Sequence, residues 1–244
     1  MKNDTSYFKL YEDRYRRLKK QGIGDWISNP EEFVRIIKNV KEFLSYAHCN
    51  PSETSIIEFG CGQGHLALHL MELGYKYLGL DISASAIRQA RKKAGAKVRH
   101  AFLVADVTDI HEIQDGSFDL AIDNQCFHML ITDEHRKKYL AEVRRLLKHD
   151  GKAFFHESYR PREFKAKISS LQEFIKVTHG DYETLHDYTA YIGNKRQMIR
   201  LPRVPARSNN EESYRKELKE AGLGVEYFEH DKTWCIIYAR VLRE

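Results

Sequence analysis

Hydrophobic and polar positions follow two rhythms along this chain, and the switches between them mark out its elements. Tyr7, Phe8, Tyr11 and Tyr15 recur among charged residues from Tyr7 to Gln21, which predicts an amphipathic helix broken by Gly22-Ile23-Gly24. Ser28-Asn29-Pro30-Glu31-Glu32 reads as a second helix start, with Asn29 as cap and Pro30 at the first helical position. Phe33, Ile36, Ile37, Val40 and Phe43-Leu44 form its apolar stripe. Short apolar runs then predict five strands: Ser55 to Phe59, Tyr77 to Asp81, Val98 to Ala105, Phe118 to Ile122 and Lys152 to His156. Helical patterns separate them. One carries Leu66, Leu68, Leu70 and Met71 and ends at Gly74. The next is capped by Ser83 and closed by Gly95 after Arg91-Lys92-Lys93. A third starts at Thr132-Asp133-Glu134, buries Tyr139, Leu140, Val143, Leu146 and Leu147, and is expected to run to His149-Asp150-Gly151.

Such alternation calls for a doubly wound, mostly parallel sheet. After a helix over 211–221, the runs Val225 to Phe228 and Trp234 to Val241 lie too close for a crossover, so they should pair as an antiparallel hairpin. The expected fold is α/β, with a seven-stranded sheet built from 51–158 and 211–244 in a single domain over 1–244. Residues 159–210 break the pattern. Arg160 to Arg207 holds ten Lys/Arg against five Asp/Glu, with Pro161, Pro202 and Pro205 and many aromatics. So long an insertion is expected to be a small helical cap over the mouth of the site. Its charge suits a ring-bearing small molecule with an anionic group.

Composition narrows the classes. At 244 residues and 42% hydrophobic content the chain can bury one sizeable core. No apolar run approaches the ~20 residues of a membrane span. The opening Met1-Lys2-Asn3-Asp4-Thr5 lacks the order of a signal peptide. Cys49, Cys61, Cys126 and Cys235 are scattered, which fits reduced thiols and a cytoplasmic location. A net charge of +5 does not by itself imply nucleic acid.

The centre of the chain is Glu58-Phe59-Gly60-Cys61-Gly62-Gln63-Gly64, a strand end running into a glycine turn and a helix start at His65. Glycines there allow positive φ and close approach of a ligand to backbone. A dinucleotide fingerprint counted from Gly60 needs glycine at position 65, which is His65. An acid two places before the first glycine suits a ligand with a positive end. Asp81 ends the second strand and can accept from two ribose hydroxyls. Asp106 and Asp123-Asn124 follow the third and fourth strands, and ligands of open parallel sheets bind outside these strand ends.

These motifs resemble those of the class I S-adenosylmethionine-dependent methyltransferases, whose first motif has the form E/D-x-G-x-G-x-G. The resemblance spans about 50–157 and the final hairpin. It implies S-adenosyl-L-methionine as cofactor. The turn Gly60, Cys61, Gly62 and Gly64 would pass under the methionine part, with Glu58 near its amino group. Asp81, with Ile82 beside it, would take the ribose, Asp106 and the Val107 backbone the adenine, and Asn124 the methionine end. Tyr11-Glu12-Asp13-Arg14-Tyr15 with Gly24-Asp25-Trp26 is similar to the N-terminal segment of small-molecule methyltransferases of the thiopurine type, where the tryptophan packs near the cofactor. Residues 1–50 would then close over the cofactor; Trp26 reads equally well as a core residue.

His128, past the fourth strand, and His156, at the tip of the fifth, are the candidate catalytic bases, because an ordinary histidine titrates near pH ~6.5. With Glu157 they also make a weak candidate for metal binding; no metal is expected. The leading expectation is methyl transfer to a small-molecule O, N or S atom by a protein that binds no membrane. A nucleic-acid partner is not expected, and a homo-oligomer is compatible with the sequence. The alternatives are an RNA or protein methyltransferase docking through the basic cap, a non-catalytic cofactor-binding regulatory module, and, more distantly, an NAD-dependent enzyme.

Overall fold

The computed structural model describes residues 4–26, 29–193 and 195–243. Met1–Asn3 of the polar opening segment and Ser28 of the predicted helix start lie outside the described residues. Helix α1 (Phe8–Lys20) and helix α2 (Pro30–Ala47) precede the sheet. Asn29 caps α2 as expected, its side chain accepting from the Glu31 amide. The chain then alternates β1 (Ser55–Phe59), α3 (His65–Glu72), β2 (Lys76–Asp81), α4 (Ala84–Ala94), β3 (Phe102–Val104), β4 (Phe118–Asn124), α5 (Asp133–Leu146) and β5 (Leu147–Ser158). After the insertion come α6 (Leu171–Thr178), β6 (Leu185–Ile192), β7 (Lys195–Pro202), α7 (Glu211–Glu220), β8 (Leu223–His230) and β9 (Trp234–Val241).

Seven strands form one sheet in the order β3-β2-β1-β4-β5-β9-β8. The first five are parallel, and β9 inserts antiparallel between β5 and β8. Side chains alternate across the strands. Ile56, Leu120, Ile122 and Phe154 face α2 and α3, while Ile57, Ala121, Ala153 and Phe155 face α5 and α7. The reversal of strand order between β1 and β4 opens a crevice at their carboxyl ends, where the glycine turn lies.

Three boundaries differ from the expected ones. The third strand is short, because Arg99–Ala101 form a 3₁₀ turn and only Phe102–Val104 pair with β2. The fifth helix stops at Leu146, and Leu147 turns extended to pair with Phe118, so the strand begins before Gly151. The insertion holds its helix but also the antiparallel pair β6–β7, a two-stranded sheet of its own. Ala190, Ile199 and Leu201 of that pair pack on Leu18 and Ile23, so the insertion buttresses the outer side of α1. Among the described residues no helix is long and apolar enough to cross a membrane.

Candidate active site

The turn after β1 is built on three left-handed glycines, Gly60 (φ 68°), Gly62 (φ 53°) and Gly64 (φ 71°). Each has a different neighbour. A Cβ on Gly60 would stand 2.7 Å from Cys126 Cβ, and one on Gly62 would stand 2.9 Å from the Tyr15 hydroxyl. A Cβ on Gly64 would meet Phe102 at 2.8 Å and Ala90 at 3.0 Å, so this glycine serves core packing and does not line the cavity. The turn is tied to β2 by Cys61 N donating to Leu80 O (2.9 Å) and Gly62 N donating to Asp81 Oδ2 (2.9 Å).

Above the turn lies a cleft of about 1030 Å³, open at its mouth. Glu58, Gly60, Cys61, Gly62, Asp81, Ile82, Val107, Asn124 and Trp26 all line it. Helix α1 supplies Phe8, Tyr11 and Tyr15 to the same wall. Tyr11 donates to Met129 O (2.5 Å) and Pro205 O (3.0 Å), and Glu12 accepts from Ser83 Oγ (2.5 Å) and Ser85 Oγ (2.6 Å). These bonds clamp α1 onto the cap of α4 and the turn after β4. Sequence reasoning recognised the Tyr7–Tyr11–Tyr15 spacing as a helical stripe but did not place Tyr11 and Tyr15 in the site.

Charge in the cleft is negative. Glu58 is 3% exposed, and burial, offset in part by the Tyr77 hydroxyl donating at 2.5 Å, pushes its carboxyl up to about 7. Burial likewise pushes Asp81 up to about 6, although Ser83 N (2.8 Å) and Gly62 N donate to it. Among the described residues no lysine or arginine lines the cleft, and none of those in 159–210 does. The basic insertion packs its apolar side against α1.

Several expected site residues stand apart. Asp106 is absent from the cavity wall, and its Oδ1 accepts from Thr108 N (2.9 Å) and Thr108 Oγ1 (2.7 Å), leaving Val107 as the wall residue. His128 and His156 are also outside the wall. His128 Nδ1 is held by Glu157 Oε2 at 2.5 Å, and His156 Nδ1 donates to Asn124 Oδ1 at 2.9 Å. Both rings pack against Trp234. Burial lowers each to about 4, so both are neutral near pH 7. Among the described residues no group of three or more His, Cys, Asp or Glu side chains is arranged to hold a metal ion.

Comparison with known proteins bears on this architecture. Residues 56–151 match the model of a methyltransferase domain family. An uncharacterized methyltransferase of Schizosaccharomyces pombe is 31% identical over 112 residues, covering 44% of this chain and 76% of the yeast protein. The chain belongs to the class I S-adenosylmethionine-dependent methyltransferases. It is an enzyme of that class, with S-adenosylmethionine as its cofactor. Within the family, it is 31% identical over 115 residues to the bovine eEF1A lysine and N-terminal methyltransferase, a match covering 44% of this chain and 16% of that protein. The Burkholderia thailandensis 1,6-didemethyltoxoflavin-N1-methyltransferase superposes with a TM-score of 0.63 at 15% identity, covering 100% of this chain and 92% of that one, which shows a shared fold.

The site's own features fit the methyltransferase cofactor. Gly60 and Gly62 leave backbone bare where side chains would collide, and two buried acids suit hydroxyl and ammonium donors. Gln63 lines the cleft and accepts from Trp26 N (2.8 Å), while its buried Nε2 has no partner among the described residues.

Proposed function

We propose that the acceptor is a small molecule that enters the cleft beside Met129, Leu130 and Phe33, and that it reacts without His128 or His156 as its base. The observation that carries this reading is the cavity wall itself. It gathers Glu58, Gly60, Gly62, Asp81 and Asn124 with aromatic and apolar residues around one cavity, whose wall holds His65 but neither His128 nor His156.

Bound S-adenosylmethionine supplies a methyl group on a positively charged sulfur. In this reading Asp81 accepts from the ribose hydroxyls, Glu58 offers negative charge to the amino group, and Val107 borders the base. Asn124, braced by His156, faces the methionine end, and Trp26, tied to Gln63, bounds the N-terminal side. Tyr11, Tyr15 and Trp26 exclude water. Alignment of this kind supplies roughly 7–11 kcal/mol of barrier reduction. A thiol or a neutral amine needs no protein base, which matches the buried, neutral state of both histidines. The 1–50 segment is the closing element, and 159–210 acts as its brace.

Methyl-labelled cofactor incubated with a size-fractionated cell extract tests the reading. Label is expected in the low-mass fraction and in no macromolecule. A protein acceptor is the second reading, favoured by the similarity to the bovine enzyme, which is named for lysine and N-terminal methylation. Label confined to protein would replace the first reading with the second.

A further inference from the structure

The turn Gln125–Leu130 forms the β4-side wall of the cleft, where Gln125, Cys126, Met129 and Leu130 line the cavity. Its backbone is unusual, since Gln125 takes a positive φ of 70° without being glycine. Two fully buried carboxyl groups hold it from behind. Asp123 is 1% exposed and accepts from Cys126 N (2.7 Å), Phe127 N (3.0 Å) and the Tyr139 hydroxyl (2.5 Å). Glu157 is 0% exposed, accepts from Phe127 N (3.2 Å) and His128 N (2.7 Å), and is hydrogen-bonded to His128 Nδ1 (2.5 Å).

The Phe127 amide is therefore shared between an oxygen of each residue. Acceptors of one N–H group are forced close together, and two ionised carboxylates at that separation in a dry interior repel strongly. The nearest cation is Arg136, but its guanidinium is already paired with Glu217 (2.7 Å) and donates to Phe127 O and Leu130 O. The other described neighbours add no positive charge, and from β1 the buried Glu58 carboxyl faces Asp123. From α5 comes the Tyr139 phenol, from α7 the Tyr214 phenol, and from the turn and β9 the Cys126 and Cys235 thiols, all kept protonated by burial. His128 is neutral.

We infer that Asp123 and Glu157 hold one proton between them, and that this proton-sharing pair is the positioning element of the cavity wall, fixing the turn through the amides of residues 126, 127 and 128. The side chains touch neither the cleft nor its contents, so they act through the turn. The pair concerns the same cavity as the proposed function, but its test reads the turn in the protein without acceptor or cofactor. Burial pushes both carboxyl groups upward, Glu157 to about 7, and the Glu157 charge adds to the rise at Asp123, so the shared proton leaves as pH rises through neutrality.

Infrared spectroscopy of the wild-type protein in heavy water provides a direct reading. Glu58 and Asp81 also carry protons at about pH 6, so the reading is the difference between proteins. Wild type is expected to show at about pH 6 a protonated-carboxyl band, reduced at about pH 9, that Glu157→Gln and Asp123→Asn lack and that Glu58→Gln and Asp81→Asn keep. Hydrogen exchange supplies the positioning readout. Amides 126–128 of Glu157→Ala should exchange at least roughly tenfold faster than wild type, whereas Glu157→Gln, which is neutral and still accepts, should stay within about twofold. Should Glu157→Ala fail to fold, Glu157→Gln and Asp123→Asn carry the same comparison against wild type at the higher pH. Absence of the band in wild type, its persistence in both Glu157→Gln and Asp123→Asn, or equal exchange in Glu157→Ala and Glu157→Gln would overturn the inference. None of these outcomes depends on which acceptor is methylated.

Discussion

The Tyr15 hydroxyl stands 2.9 Å from the place a Cβ on Gly62 would occupy, and so closes the glycine turn from above. Residues 47 positions apart in sequence thus form the floor and roof of one site. A methyl at Gly62 would force a non-glycine residue into φ 53° at a cost of ~1–2 kcal/mol and displace the phenol. Gly62→Ala is expected to weaken binding of S-adenosylhomocysteine by roughly tenfold or more. Gly64→Ala should instead lose mainly stability, ~1–3 kcal/mol from overpacking against Phe102 and Ala90 beyond the same backbone cost. Calorimetry and thermal unfolding on both variants separate the effects, and identical profiles would contradict the division of roles.

Asp81 predicts two opposite pH effects. Burial holds its carboxyl at about 6 in the free protein, above the ordinary carboxylate range. The stability its protonated form contributes is complete below that ordinary range and is lost as pH rises through about 6. Cofactor binding runs the other way, since ribose hydroxyls donate best to the ionised form. Affinity for S-adenosylhomocysteine should therefore rise between about pH 5 and about pH 7.5, and Asp81→Asn should flatten that rise while losing roughly tenfold in affinity. A pH-independent affinity in the wild type would remove Asp81 from the site.

Tyr11 ties α1 to two other segments through its hydroxyl. Tyr11→Phe removes both bonds and leaves two carbonyls to find other donors. A loss of ~1–3 kcal/mol is expected in denaturant unfolding, with faster proteolysis of the N-terminal segment. Unchanged proteolysis would show that the insertion alone secures α1.

Arg136 is 2% exposed, pairs with Glu217 through two nitrogens and lies 3.7 Å over the Phe127 ring. Its flat fork also reaches two carbonyls of the wall turn, a geometry lysine cannot reproduce. Arg136→Lys is expected to fold with reduced stability, and Arg136→Ala to lose ~3–5 kcal/mol in chemical denaturation. Near-neutral behaviour of the alanine variant would show that Phe127 and Tyr214 hold the turn by packing alone.

The two buried histidines bear on the rate. Their neutral forms contribute stability that is present above the ordinary histidine range and is lost as pH falls toward about 4. The kcat profile should then show no limb near pH ~6.5. A limb there that disappears in His128→Asn or His156→Asn would establish a histidine base after all.

Local signals in the sequence were legible wherever one residue's chemistry decides the backbone. The caps Asn29, Ser83 and Thr132, the glycine turn and the terminal hairpin all stand where the pattern places them. Strand ends were less legible. Val98 to Ala105 reads as one apolar run, yet only three of its residues find a partner strand. The two histidines looked available because sequence spacing shows that they follow strands but not which side of the turn they face.

Alternating apolar residues, helix caps and the Glu58–Gly64 run determine, by short-range sterics and hydrogen bonding alone, an α/β sheet with a ligand-sized break after β1. Only the folded chain decided that Tyr11 and Tyr15 line that break, that the basic insertion packs against α1, and that Asp106, His128 and His156 lie off the cavity wall. These facts depend on contacts between residues tens to nearly two hundred positions apart. Such contacts are chosen by competition for buried surface and hydrogen-bond partners, and no local pattern records the outcome.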